Sequence, residues 1–407
     1  MNTIMSKYRW MKQHSGTLGS GPVVPLVDNC IVKPTYQQLV QQGLTLTYHC
    51  KFERRKNMGM IETVKGPIPS EKLGKTMMHE HCLVAQVDAY MKVEGDDPEY
   101  AEFLNSPLTP ENRGRVLYNM HKHVDNMNLT DENLAIKEFG FYKKAGGDTI
   151  VDVTTPGIGR DPEALVRISD ATGLNIVAST ALYIEDSWPE KYKSMSKTEI
   201  ADFFLDEIEN GMDGTGIKPG YIGEIGMSDD WTANEVKGLR AGGIASNKSG
   251  LSLTVHQPIF KTYGERICDI LEDEGCDLDR VVLSHCDPTI YDLDYHLSLL
   301  ERGVRLQFDQ FAMEFQCTYG PYVKRWLPRD IERVRHIKKL CDLGWEDKIT
   351  VSHDMCFKCL YKTYGGPGLS HIIENMTDYF LFEGVTKEQL NKILVENPKT
   401  ILERRMA

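Results

Sequence analysis

Long hydrophobic runs are missing from this sequence of 407 residues. No stretch approaches the run of about 18 apolar residues that a membrane-spanning helix needs. The apolar core of a secretory signal is also missing near its start. Basic residues are in the minority, with a formal net charge of −12 and no basic helix. That balance argues against nucleic acid as a partner.

A disulfide framework is missing as well. The ten cysteines are scattered without regular spacing, and several fall in segments that read as strands or strand edges. In a chain of this length, such usage is typical of reduced thiols in an intracellular protein. We therefore expect a cytoplasmic protein.

The first 57 residues differ from the remainder in charge and pattern. They contain eight Lys or Arg against two acidic residues, with little periodicity. They fit a targeting peptide. They fit equally well a reading frame that extends upstream of true initiation at Met58 or Met60. We expect residues 1–57 to be a poorly ordered extension unrelated to the chemistry.

From Met60 onward, strand-like and helix-like segments alternate. A typical helix start is Asp161-Pro162, with a capping side chain followed by proline at the first helical position; another helix is predicted over Trp231–Ala241. The predicted strands are Lys75–Val84, Asp148–Thr154, Leu174–Thr180, Gly220–Gly226, Leu251–His256, Arg280–His285, Val304–Asp309 and Lys348–His353.

Eight mostly apolar strands with helical crossovers indicate a parallel sheet that is covered on its outside. The pattern predicts an α/β protein in which residues 58–407 form one (β/α)8 TIM barrel. A doubly wound open sheet is the alternative, but it would call for Gly-x-Gly-x-x-Gly after the first strand. The sequence has no such motif there.

Metal-ligand residue types stand at the C-terminal ends of five of these strands. They are His79, His81, Glu224, His256, His285 and Asp354. His79 and His81 are two residues apart, so a strand directs both imidazoles to one side. In a barrel all these strand ends meet at one rim. A single strand-end histidine is more often a packed residue, but the whole set predicts two divalent metals about 3.5–4 Å apart.

The pattern resembles the phosphotriesterase family of the amidohydrolase superfamily. The phrases Thr-x-x-His-Glu-His, Ile-Gly-Arg-Asp, Gly-Glu-Ile-Gly and Tyr-Gly-Gly-x-Gly-x-Ser-His resemble the phosphotriesterase-related branch most, over about residues 60–405. The resemblance implies a binuclear centre, usually zinc, with Mn, Co or Fe as alternatives. It assigns His79, His81 and Asp354 to the more buried metal, His256 and His285 to the more exposed one, and Glu224 to the bridge.

Two departures from the phosphotriesterases proper bear on the substrate. Glu224 stands where those enzymes have a carboxylated lysine, and Gln310 stands where they have a histidine after the strand-7 aspartate, here Asp309. Both disfavour phosphotriester hydrolysis.

The resemblance therefore implies hydrolysis of a carboxylic ester, lactone or amide bond of a small molecule. A metal-bridged hydroxide would attack, and Asp354 would carry the proton. A phosphotriester hydrolase is one alternative, and a metal-stabilised binding protein without turnover is an alternative of another class. The family also suggests a homodimer.

The roles of two further residues and two further residue pairs are less clearly indicated by the sequence. Tyr183 matches a pocket tyrosine of lactonase-like relatives, and it either polarises a substrate or packs. Arg160 either binds an anionic substrate group or pairs with a carboxylate. His121-Lys-His123 is expected to be a solvated surface pair, because polar residues surround it. Cys356-x-x-Cys359 is expected to line a loop near the site.

Overall fold

The computed structural model describes residues 59–86, 97–317 and 325–405. The predicted extension over residues 1–57 lies outside the described residues, so its expected lack of order stays a prediction. Within the described ranges, no helix has the length and hydropathy needed to cross a membrane.

The core of the fold is an eight-stranded parallel sheet in which each strand pairs with the next along the chain. The strands are β1 Thr76–Glu80, β2 Thr149–Asp152, β3 Asn175–Thr180, β4 Tyr221–Gly226, β5 Leu253–His256, β6 Val281–Leu283, β7 Arg305–Phe308 and β8 Ile349–Val351. Each lies within one of the strands expected from the sequence. Nearly all of their residues are buried, as the continuous apolar patterns require.

Hydrogen bonds next to β1 and β8 close the sheet into a barrel. The amide of His79 donates to Oγ of Ser352 at 3.0 Å, and the amide of Asp354 donates to the carbonyl oxygen of His79 at 3.1 Å. The predicted (β/α)8 TIM barrel is confirmed, and the open-sheet alternative is excluded.

Helices cross between successive strands on the outside of the barrel. They are α1 Glu132–Lys144, α2 Pro162–Thr172, α3 Lys197–Asn210, α4 Ala233–Ser249, α5 Gly264–Asp273, α6 Leu293–Glu301 and α7 Asp330–Asp342. Shorter helices occur at Pro98–Asn105, Arg113–Val116 and Glu190–Lys193, and the segments Ile372–Met376, Thr377–Phe382, Lys387–Asn391, Lys392–Glu396 and Asn397–Leu402 follow β8. Three two-stranded ribbons pair Met60–Ile61 with Ile68–Pro69, Val84–Ala85 with Asn128–Leu129, and Gln316–Cys317 with Arg325–Trp326.

Helix starts follow the sequence closely, whereas one helix end does not. Asp161 caps α2 by accepting a hydrogen bond from the amide of Ala164 at 2.9 Å. Helix α4 continues past the predicted end at Ala241, through Gly242 and Gly243. A Cβ atom at Gly242 would lie only 2.2 Å from Cδ1 of Ile225 on β4. This glycine therefore permits close packing of α4 on the barrel, and it does not end the helix.

Candidate metal centre

The barrel brings all six predicted ligand side chains together at its C-terminal rim. Nitrogen and carboxylate oxygen atoms of His79, His81 and Asp354 lie within 4.8 Å of one another. A second group with the same spacing consists of Glu224, His256 and His285. A third group joins His79 and His285 with Asp309, so the side chains form one continuous cluster that contains both ligand sets implied by the family resemblance.

The distances in the first group match those between ligands of one metal ion. Nε2 of His81 lies 3.3 Å from Oδ1 of Asp354, and Nε2 of His79 lies 3.7 Å from the same oxygen. Metal–ligand bonds of about 2.0–2.1 Å in a tetrahedral arrangement separate neighbouring ligand atoms by about 3.3 Å. The three side chains therefore have the spacing of a metal site and not that of a tight hydrogen-bonded cluster.

In each imidazole of this group, the ring nitrogen that faces away from the other ligands lies near a hydroxyl oxygen. Nδ1 of His81 lies 2.9 Å from Oγ1 of Thr154, and Nδ1 of His79 lies 3.2 Å from Oγ of Ser284. The Nε2 atoms of both rings are buried and form no hydrogen bond of good geometry within the described part of the chain. Buried polar atoms normally find a partner, and a metal-binding histidine typically has its other nitrogen held in this way.

Glu224 belongs to the second group and also faces the first. Its Oε1 atom is 3.5 Å from Nε2 of His81, and its Oε2 atom is 3.1 Å from Nδ1 of His256 and 3.8 Å from Nε2 of His285. One carboxylate thus faces histidines of both groups, which is the placement that a bridging ligand needs.

Asp309 is the residue of the centre whose role was missed from the sequence. At the end of β7, its Oδ1 atom lies 2.8 Å from Nδ1 of His285 and its Oδ2 atom 3.2 Å from Nδ1 of His79. The carboxylate therefore holds one imidazole of each group. Its position at a strand end, like that of the six ligands, is the signal that could have identified it.

The charge balance of the centre favours cations. Burial raises the pKa of Glu224, but His79 and the other imidazoles more than offset this and hold it well below the usual value. Burial lowers the pKa of His81, but Asp354 and Glu224 outweigh burial and raise it to about 9. The negative charge of the buried carboxylates thus stabilises positive charge within the cluster. Imidazole and carboxylate together are suitable ligands for zinc and similar divalent ions, so the donor set fits the metals that the resemblance implies.

Two of the strand-end residues have unusual backbone conformations. His285 has φ of 57° and Asp354 has φ of 50°. Non-glycine residues with positive φ are uncommon and often lie at functional sites. The turns after β6 and β8 thus aim both side chains into the cluster at some conformational cost.

A pocket opens beside the ligands. Its wall includes Glu224, His256 and Asp354 together with apolar side chains such as Phe315 and Leu327. Tyr183 also lines it, with its hydroxyl 3.3 Å from a ring nitrogen of His256 and its ring 4.7 Å from the imidazole, centroid to centroid. Tyr183 therefore lies at the pocket, beside a candidate ligand.

Arg160 lies elsewhere. Its guanidinium is buried and pairs with Glu207 at 2.5 Å and with Asp213 at 2.8 Å. It is not among the residues that line the pocket beside the ligands. The structure agrees with the carboxylate-pair alternative, and no contact supports substrate binding by Arg160.

The expectation for His121 and His123 is wrong, because both side chains are buried. The polar residues around them, which suggested a solvated surface, form internal hydrogen bonds: Asn126, for example, donates to the carbonyl oxygen of Met120 at 3.0 Å. His121 lines the pocket beside Asp354. Cys356 also lines it, as expected, and Cys359 is buried behind it.

Known proteins resemble this chain over most of its length. Residues 59–402 match the sequence model of the phosphotriesterase family. The chain is 34% identical over 366 residues to a Dictyostelium discoideum protein named N-acetyltaurine hydrolase, covering 85% of this chain and 98% of that protein.

Two solved structures are similar over comparable lengths. A resiniferatoxin-binding protein from Rhodobacter sphaeroides has a TM-score of 0.81 and 36% identity, covering 85% of this chain and 95% of that one. A lactonase from Listeria monocytogenes has a TM-score of 0.68 and 25% identity, covering 85% of this chain and 100% of that one.

Proposed function

The chain belongs to the phosphotriesterase family and is a hydrolase of that family, and we propose that it uses two divalent metal ions to cleave a carboxylic amide, ester or lactone bond of a small molecule. One observation carries the proposal: five metal-ligand side chains converge around a sixth, the carboxylate of Glu224, which faces histidines of both proposed metal sites. Zinc is the first choice of metal, and Mn, Co and Fe suit the same donors.

The proposed ligands follow the two groups. One metal would be held by His79, His81 and Asp354, and the other by His256 and His285. Glu224 would bind both metals. When bound, such a pair supplies Lewis-acid polarisation and lowers the pKa of a water molecule.

Asp354 is the proposed proton carrier. Its Oδ1 atom is the one nearest the two imidazoles of its group, which leaves Oδ2 to accept a proton from the attacking water. Because Asp354 lines the pocket, the same oxygen can return the proton to the leaving group.

Tyr183 is proposed to bind the substrate. Its hydroxyl is beside His256 at the wall of the pocket, so it can donate a hydrogen bond to a substrate oxygen that becomes more negative during the reaction.

Three observations support a carboxylic substrate over a phosphotriester. The similar proteins include one named N-acetyltaurine hydrolase, whose named substrate is an amide, and one described as a lactonase. Glu224 takes the place of a bridging lysine, and Gln310 takes the place of a relay histidine. A cytoplasmic location and a homodimer remain parts of the proposal.

Binding without turnover is the second candidate, because a protein 36% identical to this chain is described as a binding protein. Two measurements separate the candidates. The first is the metal content of the purified chain, and the second is its hydrolysis of a panel of N-acetyltaurine, phenyl acetate, δ-valerolactone and paraoxon. We expect about two metals per chain and hydrolysis of a carboxylic substrate that stops on chelation and returns with metal. Fully loaded protein that hydrolyses none of the panel would support the binding role, and a clear preference for paraoxon would support the phosphotriesterase alternative.

A further inference from the structure

His121 enters the substrate pocket from a part of the chain that supplies none of the metal ligands. It belongs to the connection between β1 and α1, and it lines the pocket together with Glu224, His256 and Asp354. Its side chain is only 7% exposed. Its ring packs edge-on against Phe357, with the centroids 4.9 Å apart and the ring planes at 85°.

The turn that carries His121 is fastened to the loop after β8. Asn126 donates from Nδ2 to the carbonyl oxygen of Met120 at 3.0 Å, and its Oδ1 atom accepts from the amide of Cys359 at 2.8 Å. Next to it, Nζ of Lys358 lies 2.5 Å from Oδ1 of Asp125. The loop after β8 also carries Asp354. These contacts therefore fix the position of His121 relative to the proposed proton carrier.

A second anchor ties the same connection to the same loop. Nε of Arg113 donates to the carbonyl oxygen of Cys359 at 2.7 Å. Contacts from residues on both sides of His121 thus meet on one short loop, which holds the backbone around His121 in place. A donor held in this way binds a ligand at a low entropic cost.

Burial favours the neutral form of the His121 imidazole. Burial lowers the pKa of His121 to about 3, against the opposing charge of Asp354. A neutral imidazole carries one N–H donor and one acceptor. Because His121 is largely buried, a hydrogen bond from such a donor is stronger than it would be in solvent.

We propose that His121 is a substrate-binding residue, whose imidazole N–H donates a hydrogen bond to a substrate oxygen adjacent to the scissile bond. The inference deepens the proposed function, on which it rests, by adding a residue to the same pocket. The N-acyl amides, esters and lactones of the proposed function all carry such an acceptor oxygen beside the bond that breaks. Plain packing against Phe357 is the competing explanation of this histidine.

Two variants at His121 separate the explanations. His121→Phe retains an aromatic ring against Phe357 and removes the N–H, whereas His121→Gln retains an N–H donor at a similar reach. His336→Gln is the matched control, because His336 is another buried histidine whose pKa burial lowers to about 4 and it does not line this pocket.

The measurement is kcat and KM for the panel substrate that the wild type hydrolyses best, together with metal content and Tm. We expect His121→Phe to raise KM and lower kcat/KM by about threefold to tenfold, the value of one neutral hydrogen bond. His121→Gln should recover part of that loss, His336→Gln should match the wild type in kcat and KM, and metal content should not change in any variant.

The proposal is overturned if His121→Phe matches the wild type, if His121→Gln is no better than His121→Phe, or if the loss of activity follows a loss of metal. A wild type that hydrolyses no substrate of the panel would instead reject the proposed function. The two failures are therefore distinguishable.

Discussion

Asp309 Oδ1 lies 2.8 Å from Nδ1 of His285, and both side chains are buried. The contact orients the imidazole, whose Nε2 lies 2.7 Å from Nδ1 of His256 and 3.8 Å from Oε2 of Glu224. Asp309 thus orients His285, a proposed metal ligand, and is not itself one of the six proposed ligands.

We expect Asp309→Asn to lower metal affinity or activity by about tenfold to a hundredfold, the usual cost of losing the partner of a metal-bound histidine. Competition with a chelator on wild type and variant measures the affinity. Equal affinities and equal turnover would show that this carboxylate is not needed to orient His285.

The bridge is tested by Glu224→Gln. The amide loses the negative charge that faces histidines of both groups, so we expect metal content to fall from about two per chain to one or fewer. Elemental analysis after dialysis gives the number. Glu235→Gln is the control, since Glu235 is equally buried but caps α4, away from the centre. Retention of both metals in Glu224→Gln would remove Glu224 as the bridge.

Asp354→Asn tests proton transfer. The variant keeps an oxygen that can face His79 and His81 but cannot carry the proton, so kcat should fall at least about a hundredfold. Metal content must be measured alongside turnover, so that loss of a ligand is separated from loss of the proton carrier. Near-normal kcat would exclude the proposed role.

The stability of the fold should depend on pH through a histidine pair. Nδ1 of His296 lies 2.7 Å from Nε2 of His336, and burial lowers the pKa of His296 to about 3 and that of His336 to about 4. Both folded-state pKa values lie below the unfolded value of about 6.5. Each histidine therefore contributes stability that is fully present above about pH 6.5 and is lost as the pH falls toward the folded-state value.

His336→Gln removes one of these two titrations. Between pH 7.5 and pH 5, the free energy of unfolding of the wild type should fall by about 2 kcal/mol more than that of the variant. Urea unfolding at both pH values measures the difference. Protonation of the metal ligands affects both proteins equally, so parallel pH profiles would contradict the prediction.

Two glycines in helices provide a matched test of packing. A Cβ atom at Gly242 would lie 2.2 Å from Cδ1 of Ile225, whereas one at Gly140 of α1 would meet nothing within 4 Å. Gly242→Ala should destabilise by about 1–3 kcal/mol through overpacking. Gly140→Ala should stabilise by up to about 1 kcal/mol through helix propensity. Equal effects in thermal unfolding would show that Gly242 does not serve close packing.

The sequence by itself determined the barrel and the positions of its candidate ligands. Eight apolar strands alternating with capped helices have few alternatives to a closed parallel sheet. Once the strands are parallel, their C-terminal ends meet at one rim. Residues as distant as His79 and Asp354 could therefore be grouped without knowledge of their contacts.

Only the tertiary structure decided which polar residues are buried and what they bind. Arg160 pairs with Glu207, 47 residues away, and the turn of His121 is covered by a loop more than two hundred residues further along. Such partners cannot be recognised from the local sequence pattern. Whether a polar loop is buried depends on which distant segment packs over it. The role of Asp309 was likewise set by two imidazoles from other strands, which only the closed barrel brings within reach.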